Sequence, residues 1–416
     1  MRMFPIRLPR PRSTLLAIAC IAGLASACAT PRTPPGRPAG LDAAVFPAID
    51  AAIGQAIAGR KLPGAVFHLE RDGDAYEQAY GTLSYDDATP VRRDTVFDAA
   101  SLTKVLATAP AVLMLAEEGK LDLDARLVDV FPECANGGKD AITIRHLLTH
   151  SSGLPSGLPA RPAWHGDAAA HVLACNAAVT QAPGTLLRYS DINYVLLGQI
   201  VQRVSGMPLE AFVRTRLYEP LGMRDTGYLP LRRGVARAVI APTQKGPQPG
   251  TASAHTDLTP GQVLQGIVHD PTARRMDGVA GSAGVFTTAH DVARFARMVL
   301  RNGELDGVRV LSPRSVQLLT TAQSPPGLAL RGMGMDIDSP YAVRPRGTLY
   351  PVGSFGHTGF TGCVLWIDPG SRSFYVLLSN RVYPDDASRV LELYTALGTL
   401  AARAARLGPA LAAGTR

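Results

Sequence analysis

The sequence predicts an α+β fold: an antiparallel sheet flanked by helices, assembled from the N- and C-terminal segments, with a mostly helical domain inserted between them. Three observations point there. Strand-like runs flank a turn near each end of the chain, a helix-rich stretch separates the two pairs, and a long Ala/Leu helix follows the second pair. Strands at both ends with helices between are most simply joined into one sheet, leaving the middle as a second lobe. A cleft between such lobes is the usual place for a small-molecule site.

In chain order, Leu41 to Gly59 carries apolar residues at helical spacing, interrupted by Pro47, and reads as an opening helix. Ala65 to Leu69 and Ala75 to Tyr80 read as strands joined by the hairpin turn Arg71-Asp72-Gly73-Asp74. Ser101 to Glu118 is an Ala- and Leu-rich helix closed by Gly119. From about Leu121 to Val279, short helices alternate with Pro/Gly loops; they include Ile142 to His150 and Ile192 to Val204. His290 to Leu300 is another helix. Gly362 to Ile367 and Ser373 to Leu378 are apolar strands around Asp368-Pro369-Gly370-Ser371, and Asp386 to Arg406 is the closing helix.

The 416 residues, 46% hydrophobic and 18% charged, suffice for one large domain or two ordinary ones and do not resemble a disordered chain. The net charge of +8 includes Arg2, Arg7, Arg10 and Arg12, and no Lys/Arg run is interleaved with aromatics. That pattern argues against nucleic-acid binding. Those arginines form the positive start of a signal peptide, residues 1–27, with an apolar stretch Thr14 to Leu24 and the small residues Ala25-Ser26-Ala27. Cys28 follows directly. It reads as a lipidation site ahead of a Pro-rich tether, residues 28–40, or as a free cysteine after ordinary cleavage. The expectation is an exported, periplasmic protein anchored to the membrane through Cys28, with no later segment long and apolar enough to span a bilayer. Cys134, Cys175 and Cys363 are too few for a disulfide framework, although one pair is open to them, and none reads as part of a metal-type cluster.

Three motifs carry chemistry. Ser101-Leu102-Thr103-Lys104 opens a helix, and residues three apart share a face, so the Lys104 amine reaches the Ser101 hydroxyl. The helix start favours developing negative charge there, and a buried lysine whose charged form is disfavoured relays a proton near neutral pH. The same spacing also suits an N-cap serine with a solvated lysine. Tyr189-Ser190-Asp191 puts a phenol and a carboxylate two apart before a helix. A tyrosine beside two cations acts as a base, whereas a core tyrosine with Asp191 as a cap is the plainer alternative. Gly356-His357-Thr358-Gly359-Phe360-Thr361-Gly362 precedes a strand, and its glycines let backbone N–H groups face a carbonyl oxygen.

Together these motifs resemble the serine beta-lactamase and penicillin-binding protein superfamily, and specifically its class C-like serine hydrolases, with their D-alanyl-D-alanine carboxypeptidases and esterases. Three further stretches match: Thr143-Ile-Arg-His-Leu-Leu-Thr-His-Ser-Ser-Gly-Leu154, Leu221-Gly-Met-Arg-Asp-Thr226 and Gly281-Ser-Ala-Gly-Val-Phe-Thr-Thr288. Ser379-Asn-Arg-Val-Tyr-Pro384 beside the His-Thr-Gly motif resembles the carboxypeptidase-like branch. The resemblance covers about Leu41 to Leu400. It implies a beta-lactamase/transpeptidase-like domain over 41–416, with an α/β lobe at about 41–100 and 285–405 and a helical lobe at about 101–284. It also implies that Ser101 is the nucleophile, Lys104 its partner and Tyr189 the base. His357, Thr358 and Gly359 become the third motif, and the Ser101 and Phe360 N–H groups the oxyanion hole.

Two departures bear on substrate. His357 stands where lactamases usually carry Lys, and Asp191 where they usually carry Asn, so positive potential for a penicillin carboxylate is reduced. Efficient beta-lactamase activity is therefore not expected. The expected activity is hydrolysis of an ester or amide, on a peptidoglycan-derived or small acyl substrate, with no cofactor and no metal. The alternative is a non-catalytic cell-wall-binding lipoprotein of the same fold. His146 and His150 have metal-ligand spacing but lack the intervening glutamate of a zinc protease, and read as structural. A Ser101–His357–Asp triad is a rival constellation, although no Gly-x-Ser-x-Gly elbow supports it. Trp164 and Trp366 are open between cleft and core.

Overall fold

The hairpin predicted near the N-terminus forms from β1 (Gly64–Arg71) and β2 (Asp74–Gly81), in a computed structural model that describes residues 40–247 and 258–408. The predicted signal segment, Cys28 and the tether up to Ala39 lie outside the described residues. Asp72 and Gly73 turn the chain with φ of +52° and +87°, the left-handed pair that suits a two-residue hairpin. Five more strands complete one antiparallel sheet: β3 (Leu330–Arg331), β4 (Asp336–Asp338), β5 (Phe355–Gly359), β6 (Cys363–Asp368) and β7 (Ser373–Ser379). The order is β2-β1-β7-β6-β5-β4-β3, with Ala65 opposite Ser379 and His357 opposite Leu365. The two ends of the chain therefore share one sheet, as the sequence predicts.

Period-2 alternation supplies each face with its own core. Ala65, Phe67, Leu377 and Trp366 pack on α1 (Phe46–Ala58) and the C-terminal helix, through Ile49, Ile53 and Leu397. Val66, Val376 and Leu365 face the opposite way and join a core with α2 (Ala109–Glu117) and α5 (Ala289–Leu300). Between these elements lie α3 (Asp167–Asn176), α4 (Asp191–Ser205) and several shorter helices.

Four expectations need correction. Pro47 does not interrupt the first helix. It sits in the first turn of α1, where no intrahelical N–H is required. The closing helix, α6 (Leu391–Ala404), begins five residues later than expected. Arg381 Nη1 donates to the Asp386 and Ser388 carbonyls at 3.4 and 2.8 Å, taking acceptors a helix would use. Ala100–Glu117 is, by length and composition, apolar enough to cross a membrane, with mean hydropathy 1.3 over 18 residues; 83% of that stretch is buried inside the fold. Finally, Cys134 and Cys175, which form the one disulfide pair that was left open, do belong to a metal-type cluster: with His171 they place three ligand-type atoms within 4.8 Å of one another. The pairing of residues 41 apart was not legible in spacing alone.

Candidate active site

Ser101 stands three residues beyond a short strand, Phe97–Asp98, that pairs with Phe286–Thr287. Ala100 has φ of +46°, a left-handed conformation that a non-glycine residue adopts only when its surroundings enforce it. Asp98 enforces it. Its buried carboxylate accepts from Ala100 N at 2.8 Å and from His269 N at 2.6 Å. Burial pushes its pKa up to about 6 against the pull of those two N–H groups. The chain then runs through a 3₁₀ turn (Ala100–Leu102) and a π-helical turn (Lys104–Thr108) before α2, rather than one regular helix.

Lys104 has no solvent exposure. Its Nζ donates to Ser101 Oγ at 3.0 Å and to the Ser282 carbonyl at 2.9 Å, and lies 2.7 Å from Asp191 Oδ1. The Ser282 carbonyl is delivered by a close backbone approach: a Cβ on Gly281 would stand 2.0 Å from the Tyr194 carbonyl of α4. The same α4 starts at Asp191, which explains how helix and loop reach one ammonium together. Burial opposes the charge on Lys104, but the Asp191 carboxylate and Tyr189 outweigh it and hold the lysine above its ordinary pKa. The expectation of a lysine with its charged form disfavoured is thereby corrected.

Tyr189 lines the same cavity as Ser101, and both Ser101 and Lys104 stand near enough to its phenol to pull its pKa down. Lys104 Nζ lies 5.0 Å from its ring centroid, and the ring stacks on His150 at 4.4 Å. Burial raises the phenol's pKa; the Lys104 charge opposes that rise and Asp191 reinforces it. Tyr189 thus rests protonated, beside one cation, Lys104, rather than two. His150 was not singled out for this place. Its Nδ1 accepts from Ser190 N at 3.1 Å, so His150 fixes the loop as well as the ring. His146 accepts from Thr143 N at its own helix start.

The third motif arrives on β5. A Cβ on Gly359 would meet the Ala99 carbonyl at 2.4 Å, so only glycine lets the strand end lie against the turn that carries Ser101. Thr361 Oγ1 donates to the Asp98 carbonyl at 2.7 Å, and Arg381 Nε holds the Phe360 carbonyl at 2.8 Å. His357 is held neutral: burial, then the Arg331 and Lys104 charges, press its pKa well below the usual value. Its Nδ1 donates to the Thr358 carbonyl at 2.8 Å, where a triad histidine would donate to an aspartate. Ser101, Tyr189, His357, Thr358, Gly359 and Phe360 line one cavity of about 330 Å³, together with Arg331 and Tyr341. A second, about 290 Å³, adjoins Ser101 beside Asp191, Asp270 and Ser282. Trp366 is fully buried in β6, and Trp164 donates to the Pro159 carbonyl at 2.8 Å.

Comparison with known proteins shows the family and the fold. The model of the family described as Beta-lactamase matches residues 49–399. A protein of Escherichia coli K12 named "Putative D-alanyl-D-alanine carboxypeptidase" is 33% identical over 332 residues, 74% of this chain and 75% of that protein. Among solved structures, a penicillin-binding protein homologue from Caulobacter crescentus superposes with a TM-score of 0.66 at 23% identity, over 87% of this chain and 99% of that one. EstCE1, described as a hydrolase with promiscuous acyltransferase activity, gives 0.65 at 22% identity, over 85% and 98%. At such identities the two structures speak for the fold.

Proposed function

The chain belongs to the beta-lactamase family of serine hydrolases, and from that premise we propose that it releases D-alanine from D-alanyl-D-alanine-terminated peptidoglycan peptides through an acyl-enzyme on Ser101. One observation carries the assignment of roles: Lys104 Nζ lies 3.0 Å from Ser101 Oγ and 5.0 Å from the Tyr189 ring centroid, with Ser101 and Tyr189 lining one cavity. Ser101 Oγ attacks the carbonyl carbon, and its proton passes to Tyr189 Oη as the Tyr189 proton moves to the leaving nitrogen. The C–N bond breaks and leaves an ester on Ser101. Water then attacks that ester, giving its proton to Tyr189 while Ser101 recovers one.

Lys104 stays an ammonium throughout and steadies negative charge on either oxygen. The Ser101 and Phe360 N–H groups serve as oxyanion donors, a contribution of the kind that is worth about 10²–10³ in kcat. Tyr189→Phe removes the relay and should lower acylation by about 10²–10⁴-fold. The test is D-alanine release from a D-alanyl-D-alanine peptide, with Ser101→Ala as control. Tight peptide binding without release by the unaltered protein would contradict the proposal.

A second reading, esterase, is favoured by the neutral His357, since an ester does not need a cation to hold a terminal carboxylate. Faster turnover of p-nitrophenyl acetate than of the peptide supports it. Residues 1–27 and Cys28 support export and a lipid anchor. Incorporation of a labelled fatty acid in cells should then disappear with Cys28→Ala.

A further inference from the structure

The Cys134–Cys175 disulfide has a third partner that a purely structural cross-link does not need. His171 shares α3 with Cys175, one turn before it, and its Nε2 lies 3.6 Å from Cys175 Sγ and 2.9 Å from Glu133 Oε1. The tautomer of this ring is fixed from behind. Asp167 offers only acceptors, its carbonyl and Oδ1, and takes the Gln199 amide N–H groups at 3.2 and 3.0 Å. Gln199 Oε1 must therefore face His171 Nδ1, at 3.0 Å, and Nδ1 carries a proton. Nε2 then presents its lone pair toward a carboxylate and a sulfur. That is a repulsive arrangement unless a cation stands between them, either a second proton on the ring or a metal ion.

We propose that, once the disulfide is reduced, Cys134, Cys175 and His171 form a binding site for a thiophilic divalent cation of the zinc class, with Glu133 as fourth ligand. Two thiolates, one imidazole and one carboxylate are a zinc-type donor set, and a ring nitrogen fixed by an outer hydrogen bond is the usual second layer of such a site. The 3.6 Å between Nε2 and Sγ already suits two neighbouring ligands of one tetrahedral ion. The two sulfurs must part to ~3.7 Å, as Zn–S bonds of about 2.3 Å require. Three anionic ligands are balanced by the ion and by Arg203, whose Nη2 is 3.3 Å from Glu133 Oε1. An open cavity of about 500 Å³, walled by His171, Gln199 and Arg203 among others, provides an entry path. The chemistry balances as follows. A dithiol reductant gives two electrons and two protons to the S–S bond and leaves as its own disulfide; the two new thiols release two protons to solvent when the ion binds. Disulfide and metal are thus alternative cross-links of one locus, selected by redox state.

The test uses Co²⁺ as the spectroscopic stand-in for zinc. The protein is reduced with dithiothreitol, desalted without oxygen, checked for a cooperative thermal melt and titrated. The expected result is one equivalent bound, with a thiolate-to-cobalt charge-transfer band and four-coordinate visible bands, both absent from the oxidised protein. Gln199→Leu, which leaves all four ligands in place, should weaken binding by about 10–100-fold. No band on reduced, cooperatively melting protein would overturn the proposal. So would a band of equal strength in Cys134→Ser/Cys175→Ser, or loss of the cooperative melt on reduction that Co²⁺ does not restore.

Discussion

A lysine without solvent must have its charge answered from within, and Lys104 is answered by Asp191 at 2.7 Å, the Ser282 carbonyl and Ser101 Oγ. This arrangement fixes a pH prediction. Lys104 and Tyr189 are held above their ordinary values and stay protonated through neutral pH, whereas His357 is held well below its own and stays neutral. None of the three changes charge between pH 7 and 9. The acylation rate should therefore be flat across that window, measured as the pre-steady-state burst with a chromogenic ester. A limb with a midpoint near 7 would mean that one of these groups titrates in the cycle. Asp98 offers a second check. With asparagine there, one amide hydrogen faces the Ala100 or His269 N–H, and the lost bond should cost about 1–3 kcal/mol of stability along with much of the activity. A melt and burst indistinguishable from the unaltered protein would contradict its positioning role.

At the scale of elements, the site is a meeting of one turn, one helix start and one strand end. Gly359 is the joint between strand and turn, and its Cβ would fall against backbone rather than a movable side chain. Gly359→Ala should lower turnover by about 10²-fold through displacement of β5, with the overall fold retained. Unchanged kcat/KM would show that β5 does not set the site. The paired strands were legible because their apolar runs end at strong turn residues, Asp72-Gly73 and Pro369-Gly370. The start of α6 was not, because it depends on Arg381, in the turn after β7, capturing the Asp386 and Ser388 carbonyls. The role of His150 was hidden likewise: only tertiary structure brings it under Tyr189.

For the whole molecule, helical spacing brought Lys104 to Ser101, while the meeting of that pair with Tyr189 was foreseen only through the resemblance of the ordered motifs to a known family. The charge state of the meeting point was not foreseeable, because burial and pairing exist only once the chain has folded. The Cys134–Cys175 link is a molecular-scale feature too. Closing a 41-residue separation, its removal by Cys134→Ser/Cys175→Ser should cost about 2–4 kcal/mol in denaturant unfolding and leave kcat unchanged. The central claim is that one serine carries the acyl group. Its most direct measurement is mass spectrometry of peptides from protein quenched during turnover of an ester or a D-alanyl-D-alanine peptide. The account predicts the acyl mass on the peptide bearing Ser101, and on no peptide of Ser101→Ala. An adduct on another residue, or full turnover by Ser101→Ala, would contradict it.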